Sequence, residues 1–126
     1  MIPMFIKSYA AAATILGARF AAFASGDTDT SVATATAATD PIIGVSDAMG
    51  AEEGDQLDIH LAGLVPITLG GAVEAGQPLT SDAEGCAVAA TAVAGSTVHV
   101  AGFAHAPGEA GDIIDMWLAP GVIVTA

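Results

Sequence analysis

Basic side chains are almost absent from this chain of 126 residues: Lys7 and Arg19 stand against 14 carboxylates, for a formal net charge of −12. Nothing after Arg19 is Lys or Arg. Nucleic-acid binding exchanges counterions for Lys and Arg, and anionic membranes attract the same residues, so both are excluded as partners for the body of the chain. A partner that docks electrostatically must present a basic or neutral face. Cysteine occurs once, at Cys86, which rules out an intrachain disulfide and a cysteine zinc cluster. No apolar run of transmembrane length escapes interruption by charge, so no membrane-spanning helix is expected.

Bulk is scarce too. Aromatic residues make up 5% of the chain, while 29 alanines and 15 glycines leave much of it with a methyl group or nothing to pack. One domain is expected, with a thin core that leans on a neighbouring subunit or surface.

Helical periodicity is rare, and Gly, Pro and Ser-Asp punctuation recurs about every ten residues between Val-, Ile- and Thr-rich segments, the pattern of an all-β domain. In "DQLDIHL", Leu57, Ile59 and Leu61 alternate with Asp58 and His60; in "DIIDMWL", Ile114, Met116 and Leu118 alternate with Asp115 and Trp117. The aliphatics should face inward and Trp117 outward. Further strands are expected in "ARFAAFA", "PIIGVS", "LVPITL", "GCAVAAT", "STVHVAGFA" and "GVIVT". Ahead of them, residues 1–20 read as an N-terminal arm and residues 21–126 as a single β domain.

The two clear strands belong to a repeat. Residues 43–62 align with residues 101–119, matching Gly44 with Gly102, Gly50 with Gly108, Gly54-Asp55 with Gly111-Asp112, and Asp58 with Asp115. Upstream, "FASGDTDTSVATAT" resembles "LTSDAEGCAVAAT" more loosely. Two units are too few for a propeller and too long for a solenoid period, so a two-fold pseudo-symmetric sandwich or barrel is expected.

Candidate chemistry is thin. Cys86 has no local histidine partner and opens a small-residue strand, so a buried residue is the expected reading. His60, His99 and His105 lack metal-ligand spacing. The acids of "SGDTDTS" and "GAEEGD" lack the rest of a calcium loop and read as solvated turns. "LGGAVEAG" is followed by neither a helix nor a Lys, so it is no phosphate cradle. In "SDAEGCAV", Asp82 to Gly85 has type I turn chemistry. No acid, base and nucleophile fall together, so no enzyme is expected, and no metal or cofactor.

The stretches "ATDPIIGVSDAMGAEEGDQLDIHLAGLVPITLGGAVEAGQPLTSDAEGCAVAAT" and "VHVAGFAHAPGEAGDIIDMWL" resemble the capsid decoration, or cement, proteins of tailed bacteriophages, the small head-decoration family. The shared pattern is an ordered set of turn glycines and alternating aliphatics over most of residues 40–118. The N-terminal segment departs from it, being longer and richer in Ala. The resemblance implies a small antiparallel β-barrel or jelly-roll-like sandwich without catalytic residues, assembled in the host cytoplasm and bound to the virion's capsid exterior. It implies the major capsid protein as partner and a homo-oligomer, dimer or trimer, at capsid symmetry axes. Interface candidates are Lys7, Arg19 and Phe20 from the arm, and the outward Trp117. A different class stays open: a secreted or cell-surface β module, because an apolar run followed by Ala22-Phe23-Ala24 is signal-like, although Arg19 interrupts it.

Overall fold

Alternation sets the first level of structure. Leu57 and Ile59 are buried with Asp58 exposed between them, and Ile114, Met116 and Leu118 are buried while Asp115 and Trp117 are exposed, as the period of two requires. The computed structural model describes residues 5–91, 94, 95 and 97–124, and among these there is no helix. The strands are β1 (Phe5–Ala11), β2 (Phe20–Phe23), β3 (Ser31–Thr34), β4 (Ile42–Ser46), β5 (Gln56–Thr68), β6 (Pro78–Ser81), β7 (Ala87–Ala89), β8 (Thr97–Ala104) and β9 (Ile113–Val124). They form one sheet in the order β1-β3-β2-β4-β5-β9-β8-β6-β7, and a further pairing of β1 with β5 closes the first five strands into a barrel.

Two pairs of expected strands are fused. "DQLDIHL" and "LVPITL" are one strand, β5, and "DIIDMWL" and "GVIVT" are one strand, β9. Gly63, at φ 103°, is where β5 changes company: residues before it pair with β1 and β4, and from Gly63 onward the partner is β9. A strand glycine bends the backbone there without ending the strand.

The segment expected as an arm is part of the barrel. β1 pairs antiparallel with β5 from Phe5 to Ala10 and parallel with β3 at Ala10 and Ala11, and Tyr9, Ala11 and Ile15 are buried in the first barrel with Ala21, Val32, Leu57 and Ile59. The Ala-rich composition that resembles a flexible lead-in supplies small residues to a narrow interior.

The repeat is structural. The second half of β5, then β6, β7, β8 and the first half of β9 follow the path of β1 to the first half of β5. The parallel pair Ala11–Val32 of the first barrel recurs as the single bridge Leu69–Ala87 in the second. The Ala11 N–H donates to the Asp55 carbonyl at 2.9 Å, and the Leu69 N–H to the Asp112 carbonyl at 2.8 Å. The Ile15 N–H donates to Ala51 at 2.8 Å, and the Val73 N–H to Gly108 at 2.9 Å. Gly44 and Gly102 are both required, because a Cβ at either would overlap a carbonyl across the strand pair, that of His60 or of Trp117.

The two barrels are nevertheless not related as a two-fold would relate them. In a two-fold contact, equivalent residues are buried alike on both sides. Val45 and Phe103 occupy equivalent positions, opposite His60 and Trp117 respectively, yet Val45 is 0% exposed and Phe103 40%. Phe20, Ala22, Ile42 and Val45 lie on the outer face of the first barrel and join one core cluster with Val65, Ile67, Leu79, Met116 and Leu118 of the second. The second barrel therefore stacks on the first head to tail, sharing β5.

Candidate interaction surfaces

The lone thiol and two of the turn carboxylates are committed to structure. Cys86 is buried just beyond the β6–β7 turn. Burial pushes its thiol above the ordinary range, Arg19 opposes this, and Asp82 and Glu84 add to it. Such a thiol stays protonated and is a poor nucleophile. Asp82 is occupied by the turn: its carboxylate accepts the N–H groups of Glu84 at 2.8 Å and Cys86 at 3.0 Å. Gly85 closes the turn at φ 76°, where a Cβ would overlap the Thr34 methyl and crowd the Phe20 carbonyl. Asp47 caps the β4–β5 loop of the first barrel, its carboxylate accepting the N–H groups of Met49 and Gly50 at 3.0 and 3.1 Å. Among the described residues, no three His, Cys, Asp or Glu side chains gather as a metal site.

The four residues expected at an interface fall in three places. Lys7 is exposed on β1, its ammonium 5.1 Å from the centre of the Tyr9 ring. Arg19 spans the seam between the barrels, its guanidinium donating to the Glu84 carbonyl at 3.0 Å, and it lines a cleft of about 500 Å³ with Thr68, Asp82, Glu84 and Cys86. Phe20 is no surface residue: it is 0% exposed, and its N–H donates to the Gly85 carbonyl at 2.8 Å. Its ring anchors the seam because the second barrel's hairpin covers it.

Trp117 is 61% exposed on the outer face of the second barrel. Directly across the β8–β9 pair stands Phe103, and farther along β9 Val122 is 55% exposed. Two hollows flank Phe103. One, of about 500 Å³, lies between Phe103, Trp117 and His105; the other, of about 530 Å³, runs along Pro78, Val100, Pro120, Val122 and Ile123. Neither is lined by a carboxylate, a Lys or an Arg; the nearest acid on β9 is Asp115, two residues from Trp117. Exposed apolar area gathered in one place marks a contact surface. Sequence reasoning found Trp117 but missed Phe103 and Val122. The signal for Phe103 was in the repeat, where it stands at the position of Val45.

The fold and these surfaces are those of an all-β protein that offers an exposed apolar face for contact. By sequence the chain has no match among curated proteins. Its fold is similar to the crystal structure of the N base of the head fiber gp8.5 in bacteriophage phi29, with TM-score 0.69 and 20% identity over 93% of this chain and 95% of that one. The profile of the phage cement protein family matches residues 7–118, and the chain belongs to that family. Its role is structural, in the decoration of a phage capsid.

Proposed function

We propose that the chain binds the major capsid protein on the outside of the head and strengthens the shell against the pressure of packaged DNA, acting as a homo-oligomer and not as an enzyme. The family match over residues 7–118 carries this reading. Three features support it: the lone thiol held in the core, an acidic body that repels DNA and membranes, and an apolar patch on the outer face. Lys7 and Trp117 are the exposed members of the expected interface set and contribute its contacts; Arg19 and Phe20 hold the seam behind them.

The alternative of an exported module requires cleavage near Ala22-Phe23-Ala24. That cut would remove β1 together with Tyr9, Ala11, Ile15 and Phe20, opening the first barrel and the seam. The direct test is sedimentation of purified chain with phage heads. Saturable co-sedimentation at a fixed copy number per capsid protein, lost when the heads are already decorated, is expected; free chain left in the supernatant at every concentration contradicts the proposal.

A further inference from the structure

The geometry points to the outer face of the second barrel, around Phe103, Trp117 and Val122, as the surface through which copies of this chain meet. The inference rests on the self-association proposed above and gives it a location.

The occupant is indicated by the chain itself. The equivalent face of the first barrel, with Phe20 and Val45, is buried, and a barrel of the same fold buries it. At the second barrel part of this face is open: Phe103 takes the place of Val45 and Trp117 that of His60, and both are exposed, while Thr80 and Val100, in the places of Ala22 and Ile42, are buried. What fits over a face of this shape is thus another barrel of this kind, supplied by a second copy.

Charge favours the same occupant. Two copies, each at −12, repel wherever carboxylates would meet. The hollows beside Phe103 are free of formal charge, so like-charged copies can approach there; a basic partner would find its complement in the acidic loops instead.

Backbone adds a third element. Residues 121–124 of β9 pair with β8 on one edge only, and among the described residues no strand occupies the other. The corresponding stretch of β5, from Gly63 to Thr68, has β9 along its edge. An open edge beside exposed Val122 offers main-chain hydrogen bonds to a neighbouring copy.

The test is analytical ultracentrifugation of the purified full chain over a concentration series, read together with emission from Trp117, the only tryptophan. The wild-type chain should form oligomer as concentration rises, with Trp117 emission moving to shorter wavelength in step. Phe103→Asp and Val122→Asp should each weaken association about 30-fold, as loss of a central apolar contact does, with an unchanged far-ultraviolet spectrum. Should Phe103→Asp unfold the chain, Val122→Asp, at a more exposed site, decides. A wild-type chain that is monomeric throughout overturns both self-association and its surface. An oligomer that the variants leave intact, or that forms without moving Trp117 emission, overturns the surface alone. Head binding, measured separately, tests the capsid reading and depends on neither result.

Discussion

The two barrels share a backbone path and differ in what lies over them. Inside, equivalent positions are buried alike: Tyr9 and Ile67, Ala11 and Leu69, Ala21 and Leu79, Ile59 and Met116. Large and small residues trade places between the copies, Ala21 against Leu79 but Val32 against Ala87, as a core tolerates when total volume is kept. Outside, the barrels diverge: the second barrel covers Phe20 and Val45 of the first, whereas on the second Thr80 and Val100 are buried but Phe103 and Trp117 have no cover among the described residues. The difference teaches that a repeat can be conserved in its ladder and turn glycines while its outer face is reassigned from seam to surface.

The comparison is broken most severely at the seam. Phe20→Ala should cost about 3–5 kcal/mol in urea unfolding, since a fully enclosed ring leaves a cavity. Phe103→Ala, on the open equivalent face, should cost the free chain under about 1 kcal/mol, because much of that ring is already in water. Comparable losses would mean that the faces are not differently covered.

Gly44→Ala and Gly102→Ala should each destabilise by about 2–3 kcal/mol, because each added methyl meets a carbonyl that can move only with its strand. Equal effects sharpen the equivalence of the barrels. Tolerance at one site with loss at the other denies it.

Thr80 occupies the place of Ala22 but carries a buried hydroxyl without a hydrogen-bond partner. Thr80→Val should raise stability by about 1 kcal/mol, read as a higher urea midpoint.

The smallest effect concerns pH. The thiol of Cys86 is raised in the folded chain relative to the unfolded one, so above the ordinary thiol range the folded state holds more protons. Stability from this group is present at neutral pH and falls as pH rises through that range and the raised value above it. Cys86→Ala should flatten the alkaline limb of the stability profile slightly. A disulfide-forming reagent at pH 8 should label the unfolded chain much faster than the folded one.

Much of this was legible in the sequence because it is local. Alternation fixed the faces of Leu57 to Leu61 and of Ile114 to Leu118, and matched glycines gave the repeat: Gly44 and Gly102 mark a recurring close backbone approach and Gly54 and Gly111 recurring turns at positive φ. Gly108, by contrast, stands in the place of Ala51 and not of Gly50. Asp82 to Gly85 was legible as a turn because its side-chain acceptor and its glycine lie within four residues. The fused strands were not, because Gly63 and Pro120-Gly121 look like breaks, whereas β5 runs on through Gly63 with a change of partner and β9 through Pro120-Gly121 with a shift of register against β8. The burial of Phe20 was not legible either: what covers it is a hairpin 65 residues along the chain, which no local pattern announces. The same holds for residues 5–11, whose place in the barrel is set by pairing with residues 56–62.

The most direct test of the whole account is a cryo-electron microscopy reconstruction of heads decorated with this chain. The account predicts paired barrels outside the shell, with Phe103, Trp117 and Val122 covered by a neighbouring copy. Barrels whose second outer face points to open solvent, or lies flat on the capsid protein, would contradict it.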